Sequence, residues 1–177
     1  MRISDFKPLK FTAISLFCLM LITPTEYISA QNNKDKLYTN LYDALKDPKN
    51  TYKLEFFMVL MDIPGEIGRL YNLRELYLAR QRIIKLPKEI GKLKKLEILD
   101  LSMNRLTKIP KEMSKCKNIK NLNLSRNQLL EWPVEIDALK KLEELNISNN
   151  QIVSLYDDIE GLKNIKVLII NNNKIAK

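Results

Sequence analysis

A period of 23 residues governs most of this chain. The stretches "LRELYLARQRI" from Leu73, "LEILDLSMNRL" from Leu96, "IKNLNLSRNQL" from Ile119, "LEELNISNNQI" from Leu142 and "IKVLIINNNKI" from Ile165 start 23 residues apart. Each places apolar residues at its first, fourth, sixth and eleventh positions. A helix repeats every 3.6 residues and a strand every two, and this spacing keeps neither rhythm for long. A constant period of this size means one short unit stacked on copies of itself, because no copy can bury its apolar face alone.

The residues between these stretches repeat as well: "LPKEIGKL" from Leu86, "IPKEMSKC" from Ile109 and "WPVEIDAL" from Trp132, with "LYDDIEGL" from Leu155 carrying Tyr156 in place of proline. In such a stack the LxL core of each copy is a short strand with both apolar residues inward. The column Asn104, Asn127, Asn150 and Asn173 falls where the chain turns, and a side-chain amide there can satisfy buried backbone groups. Gln81 stands in that column in the first full copy and should do the job less well. The return segments then present Ile90, Met113, Ile136 and Ile159 to the core, followed by Leu93, Cys116, Leu139 and Leu162.

The combination LxxLxLxxNxL with LPxEIGxLxxL resembles the leucine-rich-repeat family in its 23-residue form, from about Leu54 to the C-terminus. Exported bacterial proteins of this type are particularly similar, with a signal segment and a short helix before the repeats. The resemblance implies an α/β solenoid with a curved parallel sheet, a helical or irregular convex side and a short N-terminal capping helix. It also implies the family's main role, the binding of other proteins. The expected organisation is a signal peptide over 1–30, a capping helix within 31–49 and a repeat domain over 50–177. That domain divides into a degenerate repeat 50–72, full repeats 73–95, 96–118, 119–141 and 142–164, and a partial repeat 165–177.

Within 31–49, Leu37, Leu41 and Leu45 lie at helical spacing, and Asp47-Pro48 stops the helix. In "TYKLEFFMVLMDIPGEIGRL" the IPGEIGRL matches in register. Leu54 and Phe56 reach the LxL columns only if one residue is missing before Leu60. At the N-terminus Arg2, Lys7 and Lys10 precede the apolar run "FTAISLFCLMLI", then Pro24 and "ISAQ". That is the layout of a secretory signal cut after Ala30, with an uncleaved anchor or a core helix as the alternative. The run is short for the ~30 Å hydrocarbon core, which needs about 20 apolar residues. Removal of the signal leaves Cys116 as the single cysteine, so no internal disulfide forms and its inward column position reads as core packing.

The chain has no histidine, no Gly-rich phosphate loop and no cysteine placed beside a base, so nothing in it points to an enzyme, a metal or a cofactor. The triplets Asn123-Leu124-Ser125 and Asn146-Ile147-Ser148 match the glycan acceptor pattern but are by-products of the repeat on a strand. A net charge of +9 suggests an anionic partner. Lysines crowd the return side (Lys85, Lys88, Lys92, Lys94, Lys95, Lys108, Lys111, Lys115, Lys117) with acids interleaved, and no aromatic ladder accompanies them. Nucleic acid is therefore not expected. A solvated convex face with weak attraction to anionic surfaces is the plain reading.

Partner binding is expected on the concave sheet, where Glu75, Tyr77, Arg80, Ile98, Asp100, Met103, Asn123 and Arg126 cluster in the first three copies. Tyr, Arg and Met are enriched at interfaces. The Asn-rich middle of that surface looks inert. Five strands ~4.8 Å apart make a face roughly 20 Å wide, small beside a standard ~800 Å² contact. The alternatives are attachment to envelope or host surfaces through the basic convex side, and self-association into a homo-oligomer. The latter would use the edge at Val167 and Ile169, where no return segment follows Ile175.

Overall fold

The computed structural model describes residues 35–57, 59–155 and 161–175. The expected signal segment and the residues Tyr156 and Ile159 lie outside the described residues. Seven short strands form one parallel sheet in sequence order: β1 (Leu37–Tyr38), β2 (Lys53–Glu55), β3 (Glu75–Tyr77), β4 (Ile98–Asp100), β5 (Asn121–Asn123), β6 (Glu144–Asn146) and β7 (Val167–Ile169). From β3 onward every register partner is 23 residues away, as in Leu76↔Leu99↔Leu122↔Leu145↔Leu168. The sheet thus converts the sequence period directly into columns of equivalent side chains.

Those columns build the core. Leu54, Leu76, Leu99, Leu122 and Leu145 form one buried column, and Leu78, Leu101, Leu124 and Ile147 a second beside it. The chain then crosses to the opposite side as 3-10 turns at Gly65–Arg69, Lys88–Lys92, Lys111–Lys115 and Val134–Ala138, each opening at a proline. A 3-10 turn is tighter than an α-helix and is used in short pieces. Ile67, Ile90, Met113 and Ile136 project from these turns into the core, with Leu70, Leu93, Cys116 and Leu139 behind them. Emptying one such position, as in Leu99→Ala, leaves a cavity between two neighbouring layers at a cost of about 2–5 kcal/mol.

Between strand and return segment the backbone turns inside the protein, and its polar groups would be orphaned there. The asparagine column satisfies them. Asn127 Nδ2 donates to the carbonyls of Leu101 (2.9 Å) and Leu124 (3.0 Å), while its Oδ1 accepts from the Leu106 N–H (3.0 Å). Asn104 and Asn150 do the same one copy earlier and one copy later. Asn173 repeats the pattern onto Ile147, Ile170 and Ile152. Each amide therefore staples its own turn to that of the preceding copy. No buried side-chain nitrogen or oxygen among the described residues lacks a partner.

The degenerate first repeat follows from the same column. Leu54 pairs with Leu76, 22 residues on, so the turn after β2 is one residue shorter than the others. Gln81, one methylene longer than asparagine, reaches back to the Phe56 carbonyl (2.8 Å) and receives the Leu60 N–H (3.0 Å). Its own turn is held less fully, because it bonds the Ala79 carbonyl and not that of Leu78. Arg82 beside it adopts φ 62°, which its column mates Arg105, Gln128 and Gln151 do not.

The N-terminal cap differs from the expectation for Leu37. Leu37–Tyr38 is a strand paired with Lys53–Leu54, and the helix (α1) runs only over Leu41–Lys46. Asn40 is the reason. Its side chain accepts from the Asp43 N–H (2.8 Å) in an extended conformation that starts the helix one residue later. Tyr38 then takes the buried position that the leucine spacing assigned to Leu37, which is 41% exposed. Thr51 ties the end of α1 down by donating to the carbonyls of Ala44 and Asp47.

Asn127→Ala removes four buried hydrogen bonds and should cost about 1–3 kcal/mol in equilibrium denaturation. Asn127→Asp keeps the acceptor and loses both donors, so it should be no more stable than the alanine variant. Wild-type stability in either would overturn the stapling role.

Candidate functional site

The face of the sheet turned away from the core is built from the two residues flanking each buried leucine. Tyr77, Ile98, Asp100, Asn123, Val167 and Ile169 line one shallow hollow of about 260 Å³ on it. Along the sequence the expected binding cluster of the first copies and the edge of the last are separate. The hollow joins them across Asn121, Glu144 and Asn146, the middle stretch that had looked inert. Glu75, Arg80, Met103 and Arg126 lie outside its lining.

Several of these side chains already have structural partners. Asp100 Oδ1 accepts from the Ser102 N–H (2.9 Å) and Asn123 Oδ1 from the Ser125 N–H (3.1 Å), closing the turn after each strand. Glu75 pairs with Lys53 (3.1 Å) and accepts from the Tyr77 hydroxyl (2.9 Å). Partial burial, that hydrogen bond and the charges of Glu75, Glu55 and Asp100 push the Tyr77 phenol up to about 12. Tyr77 is therefore a neutral donor set among three carboxylates, and this end of the face is acidic. Ile98 is half-buried beside it, and Met103 is 37% exposed. Val167 and Ile169 are 44% and 40% exposed, and Leu168 between them 38%.

Just beyond the strands lies a column of residues in the left-handed region: Arg80 (φ 61°), Met103 (55°), Arg126 (55°), Asn149 (54°) and Asn172 (57°). Side chains with a Cβ are disfavoured there by roughly 1–2 kcal/mol, and asparagine tolerates it best after glycine. The last two copies use the comfortable residue, and Asn172 donates to Asn149 (3.1 Å). The first three copies do not. Arg80 Nε instead donates to the Met103 sulfur (3.2 Å), so the strained residues contact one another across copies.

A ladder of alternating charge, absent from the sequence expectations, precedes the strands: Arg74, Glu97, Lys120, Glu143 and Lys166. Glu97 bridges Arg74 (3.4 Å) and Lys120 (2.8 Å), and Glu143 pairs with Lys166 (2.7 Å). Two positions earlier Lys95 donates to Asn72 (2.7 Å) and Lys141 to Asn118 (2.8 Å), again across 23 residues. Writing the copies in register shows this two-copy alternation, whereas reading each copy alone hides it. The Lys120 hydrogen bond draws Glu97 below the usual carboxylate range against a small burial effect, and the Lys166 hydrogen bond does so for Glu143. Lys120 is raised in turn, first by its bond to Glu97.

Cys116 is buried, its thiol pushed up to about 11 by burial and directed at the Ile90 carbonyl (3.2 Å). No group of three metal-ligating side chains occurs among the described residues.

A family profile described as a leucine-rich repeat region matches residues 63–177. The chain belongs to the leucine-rich-repeat family. No curated protein matches it. Among solved structures, this leucine-rich-repeat chain is similar to the ectodomain of the receptor kinase SOBIR1 from Arabidopsis thaliana, at 29% identity and a TM-score of 0.62, over 70% of this chain and 71% of that one. It is also similar to the plant peptide hormone receptor RGFR1, solved in complex with RGF2. There the identity is 31% and the TM-score 0.58, over 68% of this chain but only 21% of the receptor. Internalin C2 from Listeria monocytogenes shares the fold at 23% identity and a TM-score of 0.66, over 81% of this chain and 62% of the internalin.

Two outcomes follow from the ladder and the strained column. Glu97 and Glu143 have lowered folded pKa values, so the stability they contribute is present above the ordinary glutamate pKa and lost as pH falls through the lowered one. The melting-temperature advantage of wild type over Glu97→Gln/Glu143→Gln should therefore exist at neutral pH and disappear as pH falls through the lowered glutamate pKa values. Added salt should also shrink it. Separately, Arg126→Asn should raise stability by roughly 0.5–1 kcal/mol through relief of backbone strain. An unchanged or lower denaturation midpoint would count against strain at this position.

Proposed function

We propose that this protein is an exported, non-enzymatic interaction module that binds a protein partner on the outer face of its sheet. The single observation behind this reading is the unequal use of the left-handed column. Arg80, Met103 and Arg126 keep long side chains where Asn149 and Asn172 show that a less strained residue serves the fold. Strain retained without a folding need is a mark of a functional surface. The family's role as interaction modules supports the reading, as does the likeness to a receptor solved with a peptide hormone.

The chemistry of the face suggests the kind of partner. Tyr77 among Glu55, Glu75 and Asp100 suits a segment that offers a lysine or arginine beside an apolar residue, the latter resting on Ile98 and in the hollow. Arg80 and Arg126 at the rim would then meet an acidic flank. Export rests on the basic and apolar pattern of residues 1–30, in keeping with the ectodomain among the similar structures.

Capture from an extracellular milieu tests the site. Tyr77→Ala with Arg126→Ala should abolish capture without lowering the melting temperature, while Lys92→Ser, Lys94→Ser and Lys95→Ser together leave it intact. Loss through the lysines alone would refute a sheet-face site. Recovery of only a second copy of this chain, sensitive to Ile169→Lys, would favour self-association through Val167 and Ile169 instead.

A further inference from the structure

The return segments use the repeats as controls on one another. Two adjacent ones, 84–95 and 107–118, hold nine lysines against Glu89 and Glu112, a net +7 within a chain of net +9. Eight of the nine fall in matched pairs: Lys85 with Lys108, Lys88 with Lys111, Lys92 with Lys115 and Lys94 with Lys117. The copies on either side fill the same columns with Asp62 and Glu131, Gly65 and Val134, Arg69 and Ala138, and Tyr71 and Lys140. They fold into the same 3-10 turns without this charge. By contrast, the glutamate column (Glu66, Glu89, Glu112, Glu135) is common to all four copies and opens each turn. The glutamates belong to the repeat; the lysines of the first three columns are private to two copies, while the fourth continues into Lys140.

The paired rows flank a groove of about 540 Å³, lined by Lys88, Lys92 and Lys94 from one turn and Lys115 from the next, together with Glu89, Gly91 and Glu112. Gly91 keeps the turns close, since a Cβ there would meet the Glu112 carbonyl at 2.6 Å. All nine lysines are exposed, and none forms a salt bridge among the described residues. Lys94 and Lys95 donate only to the Lys115 carbonyl and to Asn72. Two glutamates offset only part of the charge of nine lysines, and the net +7 that remains favours an anionic partner.

We propose that this groove is a second binding site, separate from the sheet face, for a linear, densely sulfated polysaccharide. Two parallel rows of lysines fit a chain whose anions recur along its length, and a single small anion would leave most of them unmatched. A membrane surface would draw on the same lysines, but firm seating there adds exposed aromatic or apolar side chains that insert. Ile84 is the one exposed large apolar residue in these two segments.

Titration of the chain with a heparin octasaccharide at low and moderate salt tests this. Wild type should bind, more weakly as salt rises. Lys88→Ser, Lys92→Ser, Lys111→Ser and Lys115→Ser together should weaken binding at least about tenfold. A control that loses Lys49, Lys140, Lys163 and Lys174 to serine should bind as wild type does. All eight positions are exposed, and unchanged thermal melting confirms folding. Equal loss in the control would reduce the site to general charge attraction and overturn it. So would equal affinity for hyaluronan, which carries no sulfate, or binding to phosphatidylserine vesicles without binding to the octasaccharide.

Discussion

The stack depends on a buried amide that bonds two copies at once. Asn127 donates to a carbonyl of its own turn and to one 26 residues earlier, and accepts from an N–H 21 residues earlier. Leucine burial makes stacking favourable, but apolar contact is non-directional and would tolerate sliding between layers. Amide hydrogen bonds have fixed geometry, and a copy out of register would leave them unmade inside the protein, where an unmade bond costs most. The asparagine column therefore sets register, and strand pairing, 3-10 turns and charge ladder follow in phase. Where the phase breaks, after β2, the column adjusts through Gln81 and the strain appears next door at Arg82.

A stack of near-identical copies also separates what the fold requires from what it merely permits. Columns that hold one residue type throughout, such as the inward leucines and the turn glutamates, answer to packing and local geometry. Columns that change type part-way along carry information of another kind. On the sheet side the change falls between Arg126 and Asn149 in the left-handed column. On the turn side it concentrates lysine between Lys85 and Lys117, where six of the eight flanking column mates are acidic or neutral. The two sides of the solenoid thus present opposite chemistry, a partly acidic, aromatic hollow and a basic groove.

Much of this was legible before any coordinates. The inward columns, the asparagine ladder, the weaker service of Gln81 and the one-residue gap before Leu60 all follow from writing the copies in register. Apolar spacing alone carries the helix back to Leu37, because it takes no account of the cap. Asn40 starts the helix at Leu41, and a short side-chain hydrogen bond outranked leucine periodicity. The charge ladder was equally present in the sequence, but its alternation spans two copies and disappears when the copies are treated as equivalent.

The sequence by itself determined the architecture, because a strict 23-residue period leaves stacking as the one way to bury its leucines. It also determined which side chains share a column, since register and period are the same number. Only the tertiary structure decided which columns meet. It joined Tyr77 to Ile169 in one hollow, spent Asp100 and Asn123 on their own turns, and placed Arg80, Met103 and Arg126 in a strained backbone. Hydrogen-bond partners and backbone angles depend on distances between copies that periodicity orders along the chain but does not measure.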